Sequence, residues 1–164
     1  MSSEYSPVMT NAGLQPTQKV LVKDEYKNTR ELNIAEERPL TIYVDSYEIV
    51  TLMTLGTRPE LLALGYVKNQ ELITNLNEIK SVQVDWDVNA AAITSTNKRN
   101  DWIDKLGSRI ITSGCGQGTI FNGIMEQLDK FKIKSKKIKQ STIYLLLKNL
   151  NSYNDVYRNA GAVH

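Results

Sequence analysis

Hydrophobic and polar positions alternate most clearly over R-P-L-T-I-Y-V-D at 38 to 45, where Leu40, Ile42 and Val44 are set against Thr41, Tyr43 and Asp45. Period-2 patterning predicts a half-buried strand. Asp45-Ser46 supplies a short turn into Y-E-I-V-T-L-M, so residues 39–53 read as a hairpin. Q-K-V-L-V-K at 18–23 reads as a further short strand. The period then changes: Thr57 can cap a helix over about 58–69, with Pro59 and Glu60 in its first turn and Leu61, Leu62, Gly65 and Tyr66 at helical spacing.

A second hairpin is predicted from S-V-Q-V-D-W-D-V at 81–88 and A-A-I-T-S-T at 91–96, joined through Asn89-Ala90. After a connection beginning at 97–102, R-I-I-T at 109–112 reads as a buried strand and leads into S-G-C-G-Q-G. Beyond the glycines, Ile120, Ile124, Leu128 and Phe131 recur as the apolar stripe of an amphipathic helix. Ser141 or Thr142 can cap another, with Ile143, Leu146, Leu147 and Leu150 facing the core. Strands gathered early and helices late predict an α/β or α+β layered domain over residues 18–164, after a flexible polar lead-in at 1–17.

Composition narrows the class. A chain of 164 residues, 41% hydrophobic, is long enough for one core without metals or disulfides. The net charge of +2 hides a local concentration: Lys130, Lys132, Lys134, Lys136, Lys137 and Lys139 fall in a stretch without an acid. Without that block, 14 basic residues stand against 18 acidic ones. Global charge therefore gives no reason to expect a nucleic-acid partner, and any anion attraction is local. Phe131 is the one aromatic within the block, which argues against base stacking. No segment approaches the roughly 18 to 20 apolar residues of a membrane span, and the N-terminus lacks a signal-like apolar run. A soluble, cytoplasmic protein without a membrane partner is the expectation.

The one cysteine, Cys115, sits among Gly114, Gly116 and Gly118. It cannot form an intrachain disulfide, which agrees with a reducing compartment. A strand, glycine loop and helix in that order would set the thiol ahead of a helix N-terminus, where backbone N–H groups and the dipole favour a thiolate. Lowering its pKa by about two units corresponds to about 2.7 kcal/mol in favour of the anion. The alternative is plain packing, because free cysteine is among the residues most often buried. Spacing alone leaves both open.

Absences exclude several chemistries. A Cys-His hydrolase needs a base, and the only histidine is the last residue, His164. One Cys and one His leave a zinc site short of ligands, so no directly bound metal is expected. Gly118 stands where a C-x-x-C pair would place its second thiol. G-C-G-Q-G-T lacks the Lys-Ser/Thr ending of a phosphate loop, leaving only generic anion binding by its backbone.

Four segments occur together in order: E-E-R-P-L-T-I-Y-V-D at 36–45, T-L-G-T-R-P-E-L-L-A-L-G-Y-V at 54–67, T-S-G-C-G at 112–116, and the terminal A-G-A-V-H. In these the chain resembles the formate dehydrogenase accessory sulfurtransferase family (FdhD) over about residues 18–164. The resemblance implies a cytidine-deaminase-like α/β fold, a mixed sheet with helices, incomplete here at the C-terminus because family members continue into a second half. It implies a sulfur carrier that takes sulfur from a cysteine desulfurase as a Cys115 persulfide. The sulfur would pass to molybdenum bis(molybdopterin guanine dinucleotide), bound as substrate, before that cofactor enters formate dehydrogenase. Cys115 matches the first cysteine of the family's C-x-x-C, and Gly118 replaces the second, which excludes a two-cysteine shuttle within the loop. Gly114, Gly116, Gly118, Thr119 and His164 become the expected cofactor-binding residues, and a homodimer is one expected assembly. Two other readings stand beside it: a non-catalytic cofactor- or nucleotide-binding module, and an inactive truncated scaffold.

Overall fold

The structure is a computed structural model that describes residues 6–97, 109–111, 119–121 and 135–160. Its contacts cluster into two units, Met1–Leu14 with Glu37–Phe131, and Gln15–Glu36 with Lys132–His164.

The first unit is built on a five-stranded sheet of order β1-β6-β7-β4-β5, in which β1 is Val8–Met9, β4 Arg38–Val44, β5 Tyr47–Thr54, β6 Ile79–Asp85 and β7 Ala90–Ser95. The predicted hairpin is β4–β5, antiparallel and joined by Asp45 and Ser46, both at positive φ (47° and 78°). Two such residues match the right-handed twist of the flanking strands. A register shift between Ile42 and Tyr43 lets Ile49 and Val50 both turn into the core. The second predicted hairpin is β6–β7, antiparallel, with Trp86 in the turn rather than the strand. Parallel pairings β1–β6 and β4–β7 complete a mixed sheet. The mixed α/β fold agrees with the sequence expectation.

Helix α1, Pro59–Asn69, packs on β6 and β7. It opens at Pro59 as predicted, but its N-cap is Arg58, without a side-chain cap, and not Thr57. Its buried face is also rotated from the expected one: Glu60, Ala63, Leu64 and Val67 point inward, while Leu61 is half exposed. The spacing 60, 63, 64, 67 is the true helical stripe. Leu40, Ile42 and Val44 of β4 meet Val82, Ala91 and Ile93 and the helix in one core.

The lead-in expected over 1–17 contains β1 and a strap at Thr10–Leu14 tied to the sheet. In the second unit, β2 (Thr17–Lys23) pairs antiparallel with β3 (Thr29–Ala35), a partner strand the pattern did not reveal. Lys19 of β2 meets Glu31 of β3 at 2.6 Å, and that hydrogen bond and charge raise the lysine pKa. Helix α2 spans Gln140–Tyr153 and α3 Asp155–Ala160, the latter packed on β3. Lys139 is the N-cap of α2, so Ser141 and Thr142 lie inside its first turn. Ile143, Leu146, Leu147 and Leu150 are exposed, not core-facing as the spacing predicts.

Candidate functional site

Two short strands bracket the cysteine loop. β8 (Arg109–Ile111) and β9 (Thr119–Phe121) pair antiparallel, with Ile111 opposite Thr119, Ile110 opposite Ile120 and Arg109 opposite Phe121. Residues 112–118, which contain Cys115, thus connect the two strands of a hairpin. Ile, Thr and Phe favour a pleated strand, and both R-I-I and T-I-F supply them. This corrects the strand-loop-helix expectation: Ile120 belongs to a strand, and no helix starts at Thr119. The helix-dipole expectation called for a helix directly after the glycines, and Thr119–Phe121 is a strand instead. Of the expected site residues, Thr119 opens β9, whereas Gly114, Cys115, Gly116, Gly118 and His164 lie outside the described residues, as do Ile124, Leu128 and Phe131.

The segments at 36–45 and 54–67 are placed in full, and their residues tie the first unit together. Gly56 sits at φ +75°, and a Cβ there would stand 3.3 Å from the Trp86 ring. Gly13 faces the carbonyl of Thr57 so closely that a Cβ would lie 2.6 Å from its oxygen. The Trp86 indole N–H donates to the Ala12 carbonyl at 2.7 Å, and the Arg38 guanidinium lies 5.7 Å from the indole centre. Glu60, buried at the start of α1, accepts from the Thr10 hydroxyl at 2.8 Å and the Ala12 N–H at 2.6 Å. Burial pushes its carboxyl up. The hydrogen bonds from the Ala12 N–H, its own N–H, the Thr10 hydroxyl and the Asn11 backbone outweigh that and hold it below the ordinary 4.5.

Asp45 does a comparable job where β7 ends. Its carboxylate accepts from the Ser95 N–H at 2.8 Å and lies 2.5 Å from the Ser95 hydroxyl, and its own N–H donates to Ile93. The parallel β4–β7 pairing brings the two strand ends together, and Asp45 fixes the path of the chain leaving toward residues 96–97. Ser95 has no imidazole beside it among the described residues, and the pair holds backbone rather than activating a nucleophile. The sequence places Asp45 in a turn and Glu60 in the first turn of a helix, and their long-range hydrogen bonds to Ser95, Thr10 and Ala12 go beyond those local roles. A Pro-Glu step at a helix start and an Asp in a tight turn were the available signals. Tyr43 is raised in pKa by burial and then by Glu48 beside it. No cluster of metal-ligating side chains occurs among the described residues. Among those residues, no helix is long and apolar enough to cross a membrane.

The family model described as FdhD/NarQ family matches residues 35–164. The "Sulfur carrier protein FdhD" of Bacillus pumilus (strain SAFR-032) is 27% identical over 132 residues, covering 80% of this chain and 50% of the relative. That of Listeria monocytogenes serotype 4b (strain F2365) is 28% identical over 138 residues, covering 82% and 52%. A crystal structure from Desulfotalea psychrophila, of a protein provisionally assigned as a formate dehydrogenase accessory protein, shares 21% identity. It covers 51% of this chain and 36% of that one, with a TM-score of 0.41. The chain spans about half the length of the curated relatives it matches. A family match that runs through most of the sequence, cysteine loop included, carries the assignment: the chain belongs to the FdhD/NarQ family.

Proposed function

We propose that this protein carries sulfur as a persulfide on Cys115 for the maturation of formate dehydrogenase. The observation that carries this reading is the placement of the chain's one cysteine in T-S-G-C-G, inside the region matched by a family whose curated members are sulfur carrier proteins. Support also comes from the β8–β9 hairpin, whose paired strands give the loop a fixed base at both ends.

Loading is a thiol exchange. The Cys115 thiolate attacks the outer sulfur of a cysteine desulfurase persulfide, the desulfurase S–S bond breaks as the new one forms, and the desulfurase leaves as its thiol. No electrons enter or leave. Delivery to molybdenum as sulfide consumes two electrons, which two external thiols supply by joining in a disulfide, while Cys115 returns to its thiolate. With one cysteine, the chain cannot supply them through a disulfide of its own. The molybdenum bis(guanine dinucleotide) cofactor is the acceptor substrate, held by backbone N–H groups of the loop around Gly114, Gly116, Gly118 and Thr119 together with His164. Transfer takes place in the cytoplasm.

Formate dehydrogenase produced without any family member provides the test. Adding desulfurase, cysteine, a thiol reductant and this chain is expected to raise formate oxidation, and Cys115→Ala is expected not to. Equal gains with both proteins would instead make the chain a cofactor-binding chaperone. No gain with either would remove the maturation role.

A further inference from the structure

We draw no further inference here: the strongest candidate, the exposed basic patch of Lys136, Lys137 and Lys139 leading into helix α2, carries none because nothing in the structure shows what covers it.

Discussion

Thr10 and Glu60 are 50 residues apart in sequence and joined by a 2.8 Å hydrogen bond, hydroxyl to carboxylate. The same hydroxyl accepts the Val84 N–H at 3.0 Å, so one threonine binds the N-terminal strap to both the central sheet and helix α1. The partly buried setting makes each of these bonds costly to leave unmade.

Glu60→Ala is expected to destabilise the first unit by about 2 kcal/mol, because the Thr10 hydroxyl and Ala12 N–H lose their acceptor. Glu60→Gln keeps an acceptor oxygen and should cost about 1 kcal/mol. Urea unfolding at neutral pH measures both. The folded carboxyl is held below 4.5, so its contribution is complete above the unfolded value and disappears as pH falls through the folded one. Below that point the wild type and Glu60→Gln should converge in stability.

Backbone crowding predicts a second sensitive point. Gly13→Ala places a methyl 2.6 Å from the Thr57 carbonyl oxygen, where neither side can yield without moving main chain. The expected loss is about 1–3 kcal/mol. Gly56→Ala combines a left-handed φ with contact on Trp86 and should cost about 1–2 kcal/mol. Thermal unfolding of both variants tests this.

Trp86→Phe retains an aromatic ring beside Arg38 and Gly56 but removes the donor to Ala12. A loss of about 1 kcal/mol is expected, and combining it with Glu60→Gln should give less than the sum, since both substitutions loosen the same strap. A double-mutant cycle reads that coupling.

Asp45→Ala strips the Ser95 N–H and hydroxyl of their carboxylate and also places an unsuited residue at φ 47°. Asp45→Asn tolerates that φ and keeps one acceptor. Denaturant midpoints should therefore fall in the order wild type, Asp45→Asn, Asp45→Ala, with the last about 2 kcal/mol down.

Local patterning explains which elements were legible. Leu40, Ile42 and Val44 alternate strictly, and Asp45-Ser46 suits a tight turn, so β4–β5 could be read directly. Strand β3 carries Arg30, Glu31 and Asn33 among its apolar residues, and its pairing with β2 sets the strand more than its own pattern does. Val8–Met9 is a strand only because β6 lies alongside, a contact over more than 70 positions. Ile120 fits a helical stripe by spacing and a strand by neighbours, and the antiparallel partner Ile110 decides for the strand. For the site, the uniqueness of Cys115 and the glycines around it were visible at once. The hairpin that carries the loop was not, because β8–β9 pairing is a tertiary fact.

Intact mass of the protein after incubation with a cysteine desulfurase and free cysteine tests the central claim most directly. The wild type should gain one sulfur atom, removable by dithiothreitol, and Cys115→Ala should gain none. A wild type that stays unmodified, or an identical adduct on the alanine variant, would contradict a persulfide on Cys115.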